Sequence, residues 1–360
     1  MKDIYRIFAL FMLGIMLIST TNVKAGNDDR RGTAGAGSLL INPWVRSAGW
    51  GGVNTANGTG IDALFSNVAG LGRTPGTEAY ASYNFWLQNS GVGVSAFGVG
   101  QSLGDMGVLG LSVTSMSFGL IDRTKEGSPE FNNGTFSMNN MNIALSYAKA
   151  FSSSIYGGAS VKLVNEGIDN VTATGFAIDA GIQYVTGANY EIKFGITLKN
   201  WGPSMSYSGD GLSTVASFYG RQMSLEQRSA SFEMPSSLNI GASYDFLFSE
   251  NVHRLTLAGN FAAMAFSKDQ YTLGLEYGFA KIFMLRTSYT YEDAITKSVF
   301  DADNGSTTLY TGFAAGASII APLKKAKSED ESGVNLSFDY AYRLTKVGGG
   351  IHTIGLVLSL

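Results

Sequence analysis

The chain has 360 residues, no cysteine, a net charge of −3 and only 15% charged side chains, alongside 46 glycines, 6 prolines and 12% aromatics. The lack of cysteine excludes a disulfide framework and a thiolate metal site, and the weak charge excludes the basic footprint of nucleic-acid binding. So much glycine and aromatic residue beside so little charge suits strands, tight turns and aromatic belts better than helices.

The N-terminus reads as a secretory address. Lys2 and Arg6 precede a twelve-residue apolar run from Ile7 to Ile18, and Val23-Lys24-Ala25 offers a small residue for cleavage. That run is too short to span a bilayer as a helix but normal for a signal peptide. Residues 1–25 are therefore expected to be a signal peptide, with the mature chain starting near Gly26. No later stretch reaches about 18 consecutive apolar residues, which excludes helical membrane spans.

Residues 32–75, within an expected N-terminal segment of 26–75, show no alternation. They are rich in glycine, asparagine and alanine, as in Gly32-Thr33-Ala34-Gly35-Ala36-Gly37 and Arg46-Ser47-Ala48-Gly49-Trp50-Gly51-Gly52. Yet Leu39, Leu40, Ile41, Trp44, Val45, Trp50, Leu64 and Phe65 are too apolar for a free coil. A plug packed within a barrel mouth, with glycines where backbones approach closely, fits both facts.

From residue 76 a period of two takes over. In Tyr190-Glu191-Ile192-Lys193-Phe194-Gly195-Ile196-Thr197-Leu198 large apolar side chains alternate with charged, small or hydroxylated ones, and Val334 to Arg343 repeats the pattern. Period two puts alternate side chains on opposite faces of a strand, and strands of about ten residues with one apolar face can span a membrane as a barrel. Fourteen candidate strands follow: 78–87, 90–101, 106–119, 137–149, 155–166, 174–186, 190–200, 236–247, 253–265, 270–279, 282–292, 307–319, 332–343 and 351–360. The expected fold is an all-β, transmembrane antiparallel barrel of about fourteen strands over 76–360, with the plug inside it. A soluble sandwich or β-helix is the competing all-β reading, because alternation does not say which face meets lipid.

Loop parity tests the barrel. With both ends in the periplasm, even connections are short turns and long loops fall on odd ones. The long connections near 120–136, 201–235 and 293–306 follow the third, seventh and eleventh strands, all odd. One even connection, Pro322 to Ser332, is longer than expected and carries a charged tip that includes Lys324, Lys325 and Asp330.

The parity places Lys162, Glu166, Asp179, Glu191, Lys193, Lys199, Asp245, Glu276, Arg286, Asp339 and Arg343 in the lumen. Both signs occur in similar number, which argues against a single-sign selectivity ring. A polar conduit is one reading, and a network of paired charges filling the barrel is the preferred one. The loop 201–235 holds Trp201, Met205, Tyr207, Phe218, Tyr219, Met223 and Phe232. It is either a surface for a protein partner or hydrophobic solute, or a lid on the barrel's own mouth.

The order Arg46 to Gly49, Gly51 and Gly52, followed by Asp62-Ala63-Leu64-Phe65-Ser66-Asn67-Val68-Ala69-Gly70-Leu71, resembles the N-terminal signature of FadL-like outer-membrane barrels. Within these, Gly32-Thr33-Ala34-Gly35, the length and Leu198-Lys199-Asn200-Trp201-Gly202-Pro203 are most similar to the PorV/PorQ family. The resemblance implies a Gram-negative, Bacteroidetes-like outer membrane and a role in type IX protein secretion. It also implies that Asn67, Ala69, Gly70 and Leu71 occupy the family's Asn-Pro-Ala-Gly-Leu turn, with Val68 in place of the proline. Arg46 takes the place of the family's early arginine, expected to bond lumen carboxylates.

No catalytic constellation stands out. The chain has no Gly-x-Ser-x-Gly elbow, Walker loop or dinucleotide fingerprint. His253 and His352 read as interfacial residues at strand ends, and Asp301-Ala302-Asp303-Asn304-Gly305 as a polar loop tip rather than a calcium loop. No cofactor and no enzymatic activity are expected. Two functions remain: a secretion component that binds cargo or a translocon, and a FadL-like passive carrier for hydrophobic molecules. The carrier reading predicts an apolar pocket beneath the loops and a break in one strand, with Gly91–Gly100 or Gly104–Gly110 as candidate positions. Membrane lipid is a partner in both.

Overall fold

The computed structural model describes residues 26–88, 90–124, 127, 133–249, 252–301, 305–324 and 333–360. The signal-peptide segment, Ala302 to Asn304, and the tip residues Lys325 to Ser332 lie outside the described residues. The strands are β1 (Thr77–Trp86), β2 (Val92–Ser102), β3 (Val108–Asp122), β4 (Thr135–Ala150), β5 (Ile155–Ile168), β6 (Val171–Thr186), β7 (Ile192–Trp201), β8 (Ser213–Phe218), β9 (Arg221–Glu226), β10 (Ser237–Phe248), β11 (His253–Met264), β12 (Gln270–Phe279), β13 (Phe283–Glu292), β14 (Tyr310–Lys324), β15 (Val334–Thr345) and β16 (Ile351–Ser359). Fourteen of them form one closed antiparallel barrel, in which β1 pairs with β2 on one side and β16 on the other. Among the described residues no helix is long and apolar enough to cross a membrane.

The alternation becomes an inside-out wall. In β7 the outward Phe194, Ile196 and Leu198 are 49%, 53% and 40% exposed, while the intervening Lys193, Thr197 and Lys199 are buried. The same inversion runs round the barrel: Phe97, Leu145, Ile182, Leu273, Leu285, Phe313 and Phe338 all face out, and Lys162, Asp179, Asp245, Glu276 and Asp339 face in. A soluble sandwich hides its apolar face, so this distribution suits a hydrocarbon surrounding and excludes the sandwich. Both histidines sit at strand ends against a tyrosine hydroxyl: His253 Nδ1 is 2.7 Å from Tyr277 Oη and His352 Nδ1 is 2.8 Å from Tyr340 Oη.

Strand ends differ from the sequence expectation by a few residues in most strands, and two differences change the architecture. β14 runs past Pro322 to Lys324, across a register shift against β15 between Pro322 and Lys324. Proline cannot donate to a ladder and survives in a strand at such irregularities. The apparently overlong turn is therefore shortened at its start. Within the loop 201–235, β8 and β9 form a separate two-stranded hairpin. Tyr219 and Gly220, with φ of 47° and 76°, supply the two left-handed residues that a tight hairpin turn needs.

Residues 26–76 enter the lumen as short helical turns, including α1 (Val45–Gly49) and α2 (Ala63–Ser66). Trp44, Val45, Ile61, Leu64 and Leu71 form one buried cluster with Tyr80, Ala96, Val108, Ala341 and Val357 of the wall. Burial of each large apolar side chain stabilises by roughly 1.5–3 kcal/mol, so the plug is held mainly by packing. The glycines of β2 serve this contact. A Cβ on Gly98 would lie 2.6 Å from Ile61 and 3.0 Å from Trp44. β2 pairs continuously with β1 and β3, so the strand break expected near Gly91–Gly100 is absent there, and close packing explains those glycines. The register shift in this region lies further along β3, between Ser117 and Leu120.

Candidate functional site

The plug is anchored by its polar side chains as well as its apolar ones. Asn67 Nδ2 donates to Thr55 O at 2.9 Å and to Ile182 O of β6 at 3.0 Å, and its Oδ1 accepts from Ala69 N at 3.2 Å. Gly181 makes this approach feasible, because a Cβ there would lie 2.0 Å from Asn67 Oδ1. Ala69 and Gly70 continue into the helical turn Val68–Arg73, where a Cβ on Gly70 would meet Gly58 O at 2.0 Å. Valine at 68 thus accommodates the turn in which the resembled family has proline.

Arg46 Nε donates to Asp339 Oδ2 at 2.9 Å, and the Asp339 side chain is fully buried. Gly49 brings α1 against β14, since a Cβ on it would be 2.9 Å from Gly316 Cα. Gly51 and Gly52 take left-handed φ values of 61° and 78°. Asp62 closes the following loop by accepting from Ser47 N at 3.0 Å and Asn54 Nδ2 at 2.7 Å. Burial pushes its carboxyl up to about 7, against the opposing pull of Arg46 and the Ser47 amide.

The lumen charges resolve into pairs. Lys162 Nζ bonds Asp179 at 2.5 Å and Asn200 Oδ1 at 2.8 Å. Lys193 pairs with Asp245, and Glu276 is bridged by both Arg286 and Arg254. Glu166 accepts from Tyr207 Oη at 3.0 Å. Three expected members behave differently. Glu191 is not a lumen residue: β7 starts at Ile192, so Glu191 falls in the turn and its carboxylate accepts from Asn189 N at 2.7 Å. Its own amide and that of Asn189 hold this carboxyl below the usual range. Arg343 is in the lumen but stacks 3.5 Å above the Tyr310 ring instead of joining a carboxylate. Lys199, also buried, rests 3.6 Å above Phe65, with no ion pair among the described residues.

The plug divides the lumen into two chambers. The one at the long-loop end holds about 450 Å³. Its apolar lining includes Leu40, Ile41, Phe65, Trp86, Met264 and Tyr310, and its charged lining is Arg31, Lys199 and Arg343 with no carboxylate. The Arg31 guanidinium is tied down by Ser306 O at 2.9 Å. At the short-turn end a second chamber of about 270 Å³ is polar and carries charges of both signs. Outside the barrel, an apolar depression of about 770 Å³ lies over Gly157, Ala159, Ala180 and Ile182, on the strands that the Asn67 anchor touches from within.

The loop 201–235 splits in two. Tyr207 and Phe232, with ring centroids 5.4 Å apart, pack with Met205 and Met234 against Leu39 of the plug and Val164, Ala173 and Ala177 of the wall. This half is a lid on the mouth. Burial and the neighbouring Glu166 push the Tyr207 hydroxyl up to about 12, so it remains a donor. Phe218 and Tyr219 instead stand at the tip of the β8–β9 hairpin, 61% and 94% exposed, and Trp201 is 59% exposed at the end of β7. Sequence reasoning missed Arg254, Arg73, Tyr310 and Glu292. Glu292 is fully buried and accepts from Thr307 N at 2.6 Å and Gln270 Nε2 at 3.0 Å, holding the loop before β14. Strand alternation carried through Arg254 and Glu292 would have flagged both; nothing local marks Arg73.

No protein-family model and no curated protein matches the sequence. Among solved structures, the toluene transporter TodX of Pseudomonas putida is similar at 13% identity and a TM-score of 0.52, covering 88% of this chain and 97% of that one. The toluene transporter TbuX of Ralstonia pickettii is similar at 13% identity and a TM-score of 0.50, with the same coverage. At such identity the likeness establishes architecture alone: the chain shares with these transporters a closed antiparallel barrel of fourteen strands.

Proposed function

We propose that the protein is a non-enzymatic outer-membrane channel through which hydrophobic small molecules pass passively, most readily those with an anionic end. The observation that carries this reading is the chamber beneath the lid. It combines aromatic and aliphatic side chains and many neutral polar ones with two cations, Lys199 and Arg343, that make no ion pair among the described residues. A volume of about 450 Å³ lies within the usual size range of a small-molecule site. The FadL-like fold and the hydrocarbon transporters that share it support the same reading. Purified protein in liposomes tests the proposal: radiolabelled toluene or palmitate should enter faster than into protein-free liposomes. Equal rates for both solutes would sink it.

A second reading, a PorV/PorQ-type component of type IX secretion, rests on the sequence resemblance and on one feature of the surface. The β8–β9 hairpin carries Phe218, Tyr219, Met223 and Leu225 exposed beyond the mouth. Gene deletion followed by comparison of the secreted proteome tests it, and unchanged secretion would rule it out.

A further inference from the structure

The chamber at the short-turn end has no part in the transport proposal, and its unsatisfied donors set it apart. Its cations Lys193, Arg254 and Arg286 are committed to Asp245 and Glu276, while Arg46 is committed to Asp339. Arg73 is not committed: among the described residues it makes no ion pair, and its guanidinium only lies 5.9 Å from the Tyr156 ring centroid. Its Nη1 is buried with no hydrogen-bond partner. Two further donors lining the same chamber are buried and orphaned, Arg254 Nε and the indole Nε1 of Trp50, a residue only 4% exposed. Buried donors are normally satisfied, and three orphaned donors against one orphaned acceptor, Asn57 Oδ1, around one cavity of about 270 Å³ leave a surplus of donors for a bound acceptor. The surplus of positive charge implies that the acceptor is anionic.

From this geometry we infer that the chamber at the periplasmic end of the barrel is an oxyanion-binding site centred on Arg73, with Arg254 and Trp50 completing it. Its ligand is a compact carboxylate, sulfate or phosphate group, either a free ion or the charged end of a small solute. The Arg254 side chain is 36% exposed, so the chamber is reachable from the turn end without crossing the plug. Arg73 terminates the turn that contains the Asn67 anchor, so an occupied site would bear directly on the plug's attachment to β6. The site is independent of transport, because binding is an equilibrium property that a channel with no flux would still show.

The experiment is titration calorimetry on the full chain in detergent, with sulfate probing a free ion and acetate, which has no apolar body for the other chamber, probing the charged end of a solute. One saturable site is expected for at least one probe. Arg73→Gln should weaken it at least tenfold, Arg73→Lys should restore most of the affinity, and Tyr219→Ser at the exposed hairpin tip should leave it unchanged. The tighter of the two probes identifies the source of the oxyanion. Trp50→Phe, which removes only the indole donor, serves if Arg73→Gln does not fold, and should weaken binding severalfold. Absence of saturable binding for both probes, or binding indifferent to Arg73 and Trp50, overturns the inference. So does binding lost through Tyr219→Ser.

Discussion

The two chambers on either side of the plug use similar charged residues in opposite ways. At the loop end, Lys199 and Arg343 lie against aromatic faces, Phe65 and Tyr310, with no carboxylate in the lining. At the turn end, Lys193, Arg254 and Arg286 are clamped by Asp245 and Glu276 within the wall itself. A buried charge held only by a ring face keeps most of its capacity to bind an anion, whereas a carboxylate-paired one has spent it. On the proposed reading, the upper chamber, at the loop end, receives charge. The lower one is mostly structural scaffolding, with Arg73 as its exception.

The largest expected effect comes from the plug that keeps the chambers apart. Arg46→Ala leaves Asp339 buried without its partner, which should weaken the plug by about 3–5 kcal/mol. Single-channel recording should then show larger and noisier conductance than wild type. Restoring an apolar partner, Arg46→Leu with Asp339→Leu, should recover much of the closed behaviour. Next, Leu71→Ala removes a fully buried plug anchor and should cost about 2–5 kcal/mol, read as a lower unfolding midpoint in detergent. The comparison would break if either change left conductance and midpoint as in wild type.

A test of the upper chamber alone is Lys199→Gln. Uptake of a carboxylate-bearing solute into liposomes should fall about tenfold, equivalent to about 1.4 kcal/mol, with toluene uptake unaffected. Equal loss of both solutes would mean that Lys199 holds the fold rather than the ligand. A smaller effect is expected from pH. Asp62 titrates near 3.8 when free and at about 7 in the folded protein, so the folded state holds its proton more tightly. Its stabilising contribution is then complete below about pH 4 and is lost as the pH rises to about 7. The unfolding midpoint should be a few degrees higher at about pH 5.5 than at about pH 8, and Asp62→Asn should flatten that difference. The smallest effect belongs to the hairpin. Replacing 213–226 with a short glycine-serine linker should leave the midpoint and toluene uptake unchanged, because β8 and β9 pair only with each other.

Much of the barrel was legible because each strand carries its own evidence. Phe194, Ile196 and Leu198 against Lys193, Thr197 and Lys199 is a local pattern, complete within one strand. Loop length after each strand added direction. Legibility failed where a boundary depended on partners elsewhere. Pro322 looks like a strand terminator until the register shift against β15 accommodates it, and Glu191 looks like a lumen residue until the turn hydrogen bond at Asn189 claims it. The glycines of β2 suggested a weak strand, but only the position of Ile61 and Trp44 behind them reveals close packing. In the candidate site, the charges of the lumen were visible from alternation, while their pairing was not.

The sequence by itself determined the strands, their sidedness and the presence of a segment too apolar to be free yet too irregular to be wall. Those follow from period two and from composition, which act over a few residues. Tertiary structure alone decided that Arg46 meets Asp339 across 293 positions, and that Lys199, Arg343 and Arg73 make no ion pair among the described residues. The physical reason is that charge pairing depends on distance in space, and closure of the barrel sets which strands are neighbours.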